Sequence, residues 1–282
     1  MKIILAKTAG FCFGVDKAIQ KVNKALGAKN LYTYGPIIHN RQVVEEYEKK
    51  GVKVIDDIKQ LDSVEKGTII IRSHGVGKQE IAQIKNKKFD IIDGTCPYVK
   101  RIHKIVEQES KKGKTIIIVG NPKHPEVVGI MGWSSMDTII IEDTKQVKKE
   151  LFDRDKEYCL VAQTTFNYLK CKEIVNKLQK FEIRVMIYET ICSATEERQL
   201  EAVEISKKAT KMIVIGGRHS SNTQKLYQIC KAQCENTYHI ETVKDLVLNV
   251  FSDNDIIGIT AGASTPKHII EEVILNVRRT KL

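Results

Sequence analysis

Thr115-Ile116-Ile117-Ile118-Val119-Gly120-Asn121-Pro122-Lys123-His124-Pro125-Glu126 decides how the rest of the chain is read. Every residue from Thr115 to Val119 is β-branched, which predicts a strand. Gly120 and Pro122 break it, and a polar turn carrying His124 and Glu126 follows. The same grammar recurs outward in both directions. Apolar β-branched or aromatic runs stand at 3–5, 31–34, 52–55, 68–71, 91–92, 138–141, 158–161, 185–187, 212–215, 237–240 and 256–259. Between them lie Lys/Glu-rich stretches with apolar residues at helical spacing, such as Val99, Ile102, Ile105 and Val106, or Leu200, Val203 and Ile205. This alternation predicts an α/β protein with mainly parallel sheets.

Ligands in such sheets bind beyond the carboxyl ends of the strands. Those ends are rich in donors here. Tyr34 leads to Gly35-Pro36-Ile37-Ile38-His39-Asn40, and Ile71 to Arg72-Ser73-His74-Gly75. Val161 leads to Ala162-Gln163-Thr164-Thr165, Ile215 to Gly216-Gly217-Arg218-His219-Ser220-Ser221-Asn222, and Ile259 to Thr260-Ala261-Gly262-Ala263-Ser264. Such turns, leading into helix N-termini, suit an anion. Ser220 and Asn222 equally suit plain helix capping, and the two uses share one geometry. A lone His is more often structural, but His39, His74 and His124 each sit in a strand-end turn, where imidazole can donate to phosphate oxygens. His219 shares that setting, whereas His103, His239 and His268 do not. Glu126 is out of place in an anion site unless it carries or relays a proton. Neither G-x-G-x-x-G nor G-x-x-x-x-G-K-[ST] occurs, which removes support for the usual nucleotide sites and points to electrons arriving from a protein partner.

Three of the seven cysteines share one local setting. Cys12 lies in Gly10-Phe11-Cys12-Phe13-Gly14, Cys96 in Gly94-Thr95-Cys96-Pro97 and Cys192 in Ile191-Cys192-Ser193-Ala194-Thr195. Each trails a strand-like run and opens a helix-like one. Their spacing of roughly 90 residues suggests three similar units, 1–95, 96–191 and 192–282, without linkers. Cys159 sits inside an apolar run, Cys171 looks helical, and Cys230 and Cys234 are four apart on a helix; all four read as packing. No C-x-x-C occurs, and a structural zinc usually shows such pairs. Thiolates select zinc, copper(I) or iron–sulfur. Three on a four-iron cluster would leave one iron open as a Lewis acid and electron donor; spacing alone leaves that level with zinc.

The net charge is +11 and charged residues make up 29% of the chain. No apolar run nears the roughly 18 residues of a membrane span, and the start is too short for a signal peptide. A cytoplasmic location is expected, where cysteines stay reduced. The lysines are scattered, without a basic block or arginine–aromatic interleaving, so nucleic acid is not expected as ligand.

In combination these motifs resemble the 4-hydroxy-3-methylbut-2-enyl diphosphate reductase family, from Gly10-Phe11-Cys12 through Ile38-His39-Asn40, Ser73-His74-Gly75-Val76, Thr95-Cys96-Pro97, His124-Pro125-Glu126, Gln163-Thr164-Thr165, Ile191-Cys192-Ser193-Ala194-Thr195 and Ser220-Ser221-Asn222 to Ala261-Gly262-Ala263-Ser264. The resemblance implies a trefoil of three α/β units around a 4Fe-4S cluster held by Cys12, Cys96 and Cys192, with the fourth iron open. It implies that His39, His74, His124, Ser220, Ser221, Asn222 and Ser264 hold a diphosphate. Thr164 would stand near the substrate hydroxyl and Glu126 would supply a proton. It further implies reductive removal of that hydroxyl to give isopentenyl and dimethylallyl diphosphates, the last step of the methylerythritol phosphate route, with a ferredoxin or flavodoxin type donor. A monomer without an appended domain is expected. Two departures stand out: His219 where an amide is common, and Gly94 where Ala is common, the latter with little chemical consequence expected. A zinc hydrolase using the three histidines and Glu126, and a non-catalytic anion-binding module, are the competing classes.

Overall fold

The computed structural model describes residues 1–247 and 250–279. Each strand-like run of the sequence is a strand. β1 (Lys2–Leu5) is the first strand of the chain. One sheet holds β2 (Leu31–Tyr34), β3 (Lys53–Ile55), β4 (Thr68–Ile71) and β5 (Asp90–Asp93) in the order β3-β2-β4-β5. A second holds β6 (Thr115–Val119), β7 (Thr138–Ile141), β8 (Glu157–Ala162) and β9 (Arg184–Ile187) in the order β7-β6-β8-β9. The third joins β10 (Lys211–Ile215), β11 (Thr237–Ile240) and β12 (Ile256–Ala261) with β1, in the order β1-β12-β10-β11. All pairings in the described residues are parallel.

The three orders are one pattern. In each sheet the first strand lies between the second and the third, and the fourth flanks the third. The fourth place belongs to β5, to β9 and, in the last sheet, to β1. β1 therefore pairs with the far end of the chain, Lys2 opposite Ile256 and Leu5 opposite Ile259.

The helices are α1 (Phe13–Ala25), α2 (Arg41–Lys49), α3 (Lys78–Asn86), α4 (Pro97–Lys111), α5 (Pro125–Met131), α6 (Tyr168–Gln179), α7 (Ser193–Ser206), α8 (Ser221–Gln233) and α9 (Lys267–Arg279). The chain divides into two compact units, one of Met1–Asp16, His39–Glu45 and Ser193–Leu282, the other of Lys17–Ile38 and Glu46–Cys192. In the first unit, alternate residues of β10 serve opposite faces, as strand geometry requires. Ile213 and Ile215 pack with Ile269, Ile270 and Val273 of α9, whereas Met212 and Val214 pack with Ala202, Ile205, Leu226 and Cys230 of α7 and α8. In the second unit, Ile117 and Val119 of β6 meet Ile174 and Leu178 of α6, and Ile116 and Ile118 meet Ile102, Val106 and Val127 of α4 and α5. β6 is buried throughout, each large side chain stabilising by about 1.5–3 kcal/mol. Tyr32, Tyr34, Ile69 and Ile71 pack with Ile84 of α3 in the remaining layer.

Two sequence readings are corrected here. Of Leu200, Val203 and Ile205 only Ile205 lies on the buried face of α7: Leu200 is exposed and Val203 half-buried, and the other buried residues are Thr195, Arg198, Gln199, Ala202 and Ser206. Apolar spacing misleads where a helix buries polar side chains. Gly94, read as a minor departure, is sterically tight. A Cβ there would lie 2.2 Å from the Ile71 carbonyl oxygen. Among the described residues, no helix is long and apolar enough to cross a membrane.

Candidate functional site

The repeated strand order gives the three cysteines a common address. Each follows the fourth-place strand of its sheet and precedes a helix: β1, Cys12, α1; β5, Cys96, α4; β9, Cys192, α7. The main chain of each is tied down. The Cys12 N–H donates to Ala263 O (3.2 Å), that of Cys96 to Ser73 O (2.9 Å) and that of Cys192 to Thr164 O (3.1 Å). The Cys12 and Cys96 carbonyls accept the first bonds of their helices, from Asp16 and Lys100. None of the three is in a disulfide, and each is of intermediate exposure at a helix entrance, where negative charge is favoured. The remaining four are buried in the cores. Burial pushes the Cys159 thiol up to about 12 and those of Cys171 and Cys230 to about 11, so they stay protonated at neutral pH.

In the second unit the acid and two histidines form one connected run. Glu126 lies in the first turn of α5 and is 1% exposed. Its carboxylate accepts from the Thr164 N–H at 2.6 Å and from the Thr164 hydroxyl at 2.8 Å. Burial raises this carboxyl to about 7, and the two Thr164 bonds oppose that rise only in part. Thr164 also accepts the Cys192 N–H, so one residue holds both the acid and a thiol-bearing turn. His124 caps α5: its Nδ1 accepts the Glu126 N–H (3.1 Å), which leaves Nε2 as the donor of the neutral ring. The His74 ring meets it edge-on, centroids 5.4 Å apart. The turn of His74 is held from beneath. Gly75 takes φ +70°, and a Cβ there would lie 2.6 Å from the His103 ring. Trp133 stacks on His103 and donates its indole N–H to Val76 O at 2.9 Å. Glu80 accepts the Gly77 N–H at 2.8 Å. Burial lowers His103 to about 4, so it stays neutral and serves as a wall beneath the turn.

The first unit gathers the other polar turns. Ser264 donates its hydroxyl to His39 O at 3.1 Å. Gly217 approaches that same carbonyl so closely that a Cβ would lie 2.8 Å from it. Ser220 caps α8 through Thr223 N. Asn222 in the first turn is 4% exposed, and neither its Oδ1 nor its Nδ2 has a hydrogen-bond partner among the described residues. A buried amide left so costs about 1–3 kcal/mol. Asn40 accepts the Val43 N–H while its buried Nδ2 likewise lacks a partner. Ser221 lies beside Ser220 at the same helix entrance, and His219 is exposed. Trp133 and Arg198 escaped the sequence reading. A lone indole carries no spacing signal, and Arg198 hid behind the apolar pattern of its helix.

Three like sheets, thiols at their helix entrances and a buried acid define a class of α/β enzyme. The chain belongs to the LytB family, whose description is "LytB protein" and whose model matches residues 3–278. It is 47% identical over 278 residues to a 4-hydroxy-3-methylbut-2-enyl diphosphate reductase of Clostridioides difficile (strain 630), covering 97% of this chain and 98% of that one. A reductase of the same name from Thermoanaerobacter sp. (strain X514) is 46% identical, covering 100% and 98%. Among solved structures, the E-1-hydroxy-2-methyl-but-2-enyl-4-diphosphate reductase from Plasmodium falciparum superposes with TM-score 0.89 at 32% identity, covering 97% of this chain and 87% of that one.

Proposed function

We propose that this chain is a 4-hydroxy-3-methylbut-2-enyl diphosphate reductase that removes the allylic hydroxyl with two electrons and two protons, giving isopentenyl and dimethylallyl diphosphates and water. The observation that carries the reading is the Glu126 carboxyl, buried and raised to about 7 between the two donors of Thr164. Hydroxide leaves poorly, and an acid poised near neutral pH lets it leave as water. Thr164 orients Glu126 towards the hydroxyl and keeps the carboxylate tolerable after the proton has gone.

Cys12, Cys96 and Cys192 would hold a 4Fe-4S cluster, and their softness, exposure and equivalent positions suit that group better than the four buried thiols do. When bound, the cluster supplies the electrons and a Lewis-acidic iron. His39, His74, His124, Ser220, Ser221, Asn222 and Ser264 hold the diphosphate. The orphaned Asn222 amide supports this part, since its Nδ2 can donate to a phosphate oxygen. Holding the diphosphate fixes the allylic carbon and excludes water from the reacting end. The +11 net charge suits an acidic electron donor of the ferredoxin or flavodoxin type. The enzyme works as a cytoplasmic monomer. Anaerobic purification, iron and sulfide assay, and incubation of the coloured protein with substrate and reductant test the reading. A colourless, zinc-loaded protein without turnover would overturn it.

A further inference from the structure

α7 starts one residue after Cys192 and buries a cation. Arg198 is 3% exposed, and its guanidinium donates to two main-chain carbonyls, Ala261 O at 2.7 Å and Gly10 O at 3.0 Å. One turn further along the helix, Glu201 accepts from Lys7 N (2.7 Å), Thr8 N (2.9 Å) and the Thr8 hydroxyl (2.6 Å). Arg198 and Glu201 therefore grip the segment from Lys7 to Gly10 at both ends, one through its carbonyl and the other through its N–H groups. That segment leaves β1 and delivers Cys12. Gly10 takes φ +103°, and a Cβ there would meet Ile270 at 3.2 Å, so the loop has one tight path. Ala261 begins the turn whose Ala263 carbonyl accepts the Cys12 N–H and whose Ser264 donates to His39 O. A single guanidinium thus ties together the two stretches that bracket Cys12. Burying a guanidinium is unfavourable before its bonds are counted. Two carbonyls of separate loops, held by one planar fork, are what that cost secures here.

We propose that Arg198, with Glu201, is a positioning residue that fixes the Cys12 thiol for ligation. This rests on the reading of Cys12 as a ligand. The test uses the full chain. In its metal-free form, the rate of Cys12 alkylation by iodoacetamide is measured by mass spectrometry against that of Cys96. Arg198→Met should raise the Cys12-to-Cys96 ratio by about tenfold through the loss of two charge-assisted bonds. Arg198→Lys, which keeps one cationic donor, should restore most of the parent ratio. Iron bound after anaerobic reconstitution with iron and sulfide should fall in the same order. If Arg198→Met exposes buried Cys159 as well, the chain has unfolded and Glu201→Gln decides, with the same pattern expected at smaller size. An unchanged ratio in a folded variant overturns the positioning role while the parent still binds iron. A parent that binds no iron overturns the ligand role of Cys12, and the ligation purpose with it.

Discussion

Replacing Glu126 by Gln should stabilise the protein at alkaline pH while destroying its turnover. The carboxyl moves from an ordinary 4.5 to about 7 on folding. At 1.36 kcal/mol per unit, holding it ionised in the fold costs about 3 kcal/mol. Below 4.5 the group is protonated in both folded and unfolded chains and costs nothing extra. Between 4.5 and about 7 the unfolded chain ionises first, so stability falls as pH rises; above that the penalty is constant. Glutamine cannot ionise, and its carbonyl can still accept the Thr164 N–H. The variant should therefore exceed the parent by about 3 kcal/mol near pH 8, an advantage that shrinks to under about 1 kcal/mol at pH 5 and is gone by about pH 3.5. Urea unfolding of the metal-free proteins, followed by circular dichroism across this range, measures the difference, and all other titrating groups cancel in it. Turnover of the iron-loaded variant should drop at least about 100-fold with its visible absorbance intact. A stability difference that stays flat with pH would refute the placement of a neutral acid here, and full turnover would refute its role as proton donor.

Thr164→Val removes a hydroxyl that favours the Glu126 carboxylate, so the carboxyl should rise further, and the alkaline limb of the pH–rate profile should move to higher pH with turnover down about tenfold. Gly94→Ala forces a methyl group against Ile71 O and should cost about 1–3 kcal/mol, seen as a lower thermal midpoint of the metal-free chain. Cys192→Ala should abolish the visible absorbance of anaerobically prepared protein. Cys159→Ala, which opens a small cavity in the core beside Ile116, should keep the colour and lose about 1 kcal/mol of stability in urea.

The strands were legible because parallel strands covered on both faces, such as β6, are nearly continuous β-branched runs. The turns beyond them were legible because a Gly or Pro break followed by His, Ser or Thr has few other uses. Pairing was harder to see. Nothing local in Lys2–Leu5 announces that it completes a sheet made by β10, β11 and β12, since partnership across the whole chain leaves no periodic trace. Burial of polar groups was equally silent. Arg198 and Gln199 face inward where Leu200 faces out, and for Arg198 the carbonyls of Gly10 and Ala261 explain why. The supports of the His74 turn, Trp133 and His103, lie far along the chain from it and show themselves only in space.

The pairing of β1 with β12 also sets an order of events during synthesis. The first strand leaves the ribosome long before Ile256–Ala261 exists to receive it, and the Ala263 carbonyl that holds Cys12 comes later still. At roughly 5–20 residues per second, the nascent chain carries an unpaired N-terminal strand and a loose thiol for some tens of seconds. The sheet of β2–β5 and that of β6–β9 can form in that interval from contiguous sequence. Completion of the last sheet must await the synthesis of β12, so a chain truncated before β12 would lose the seating of Cys12.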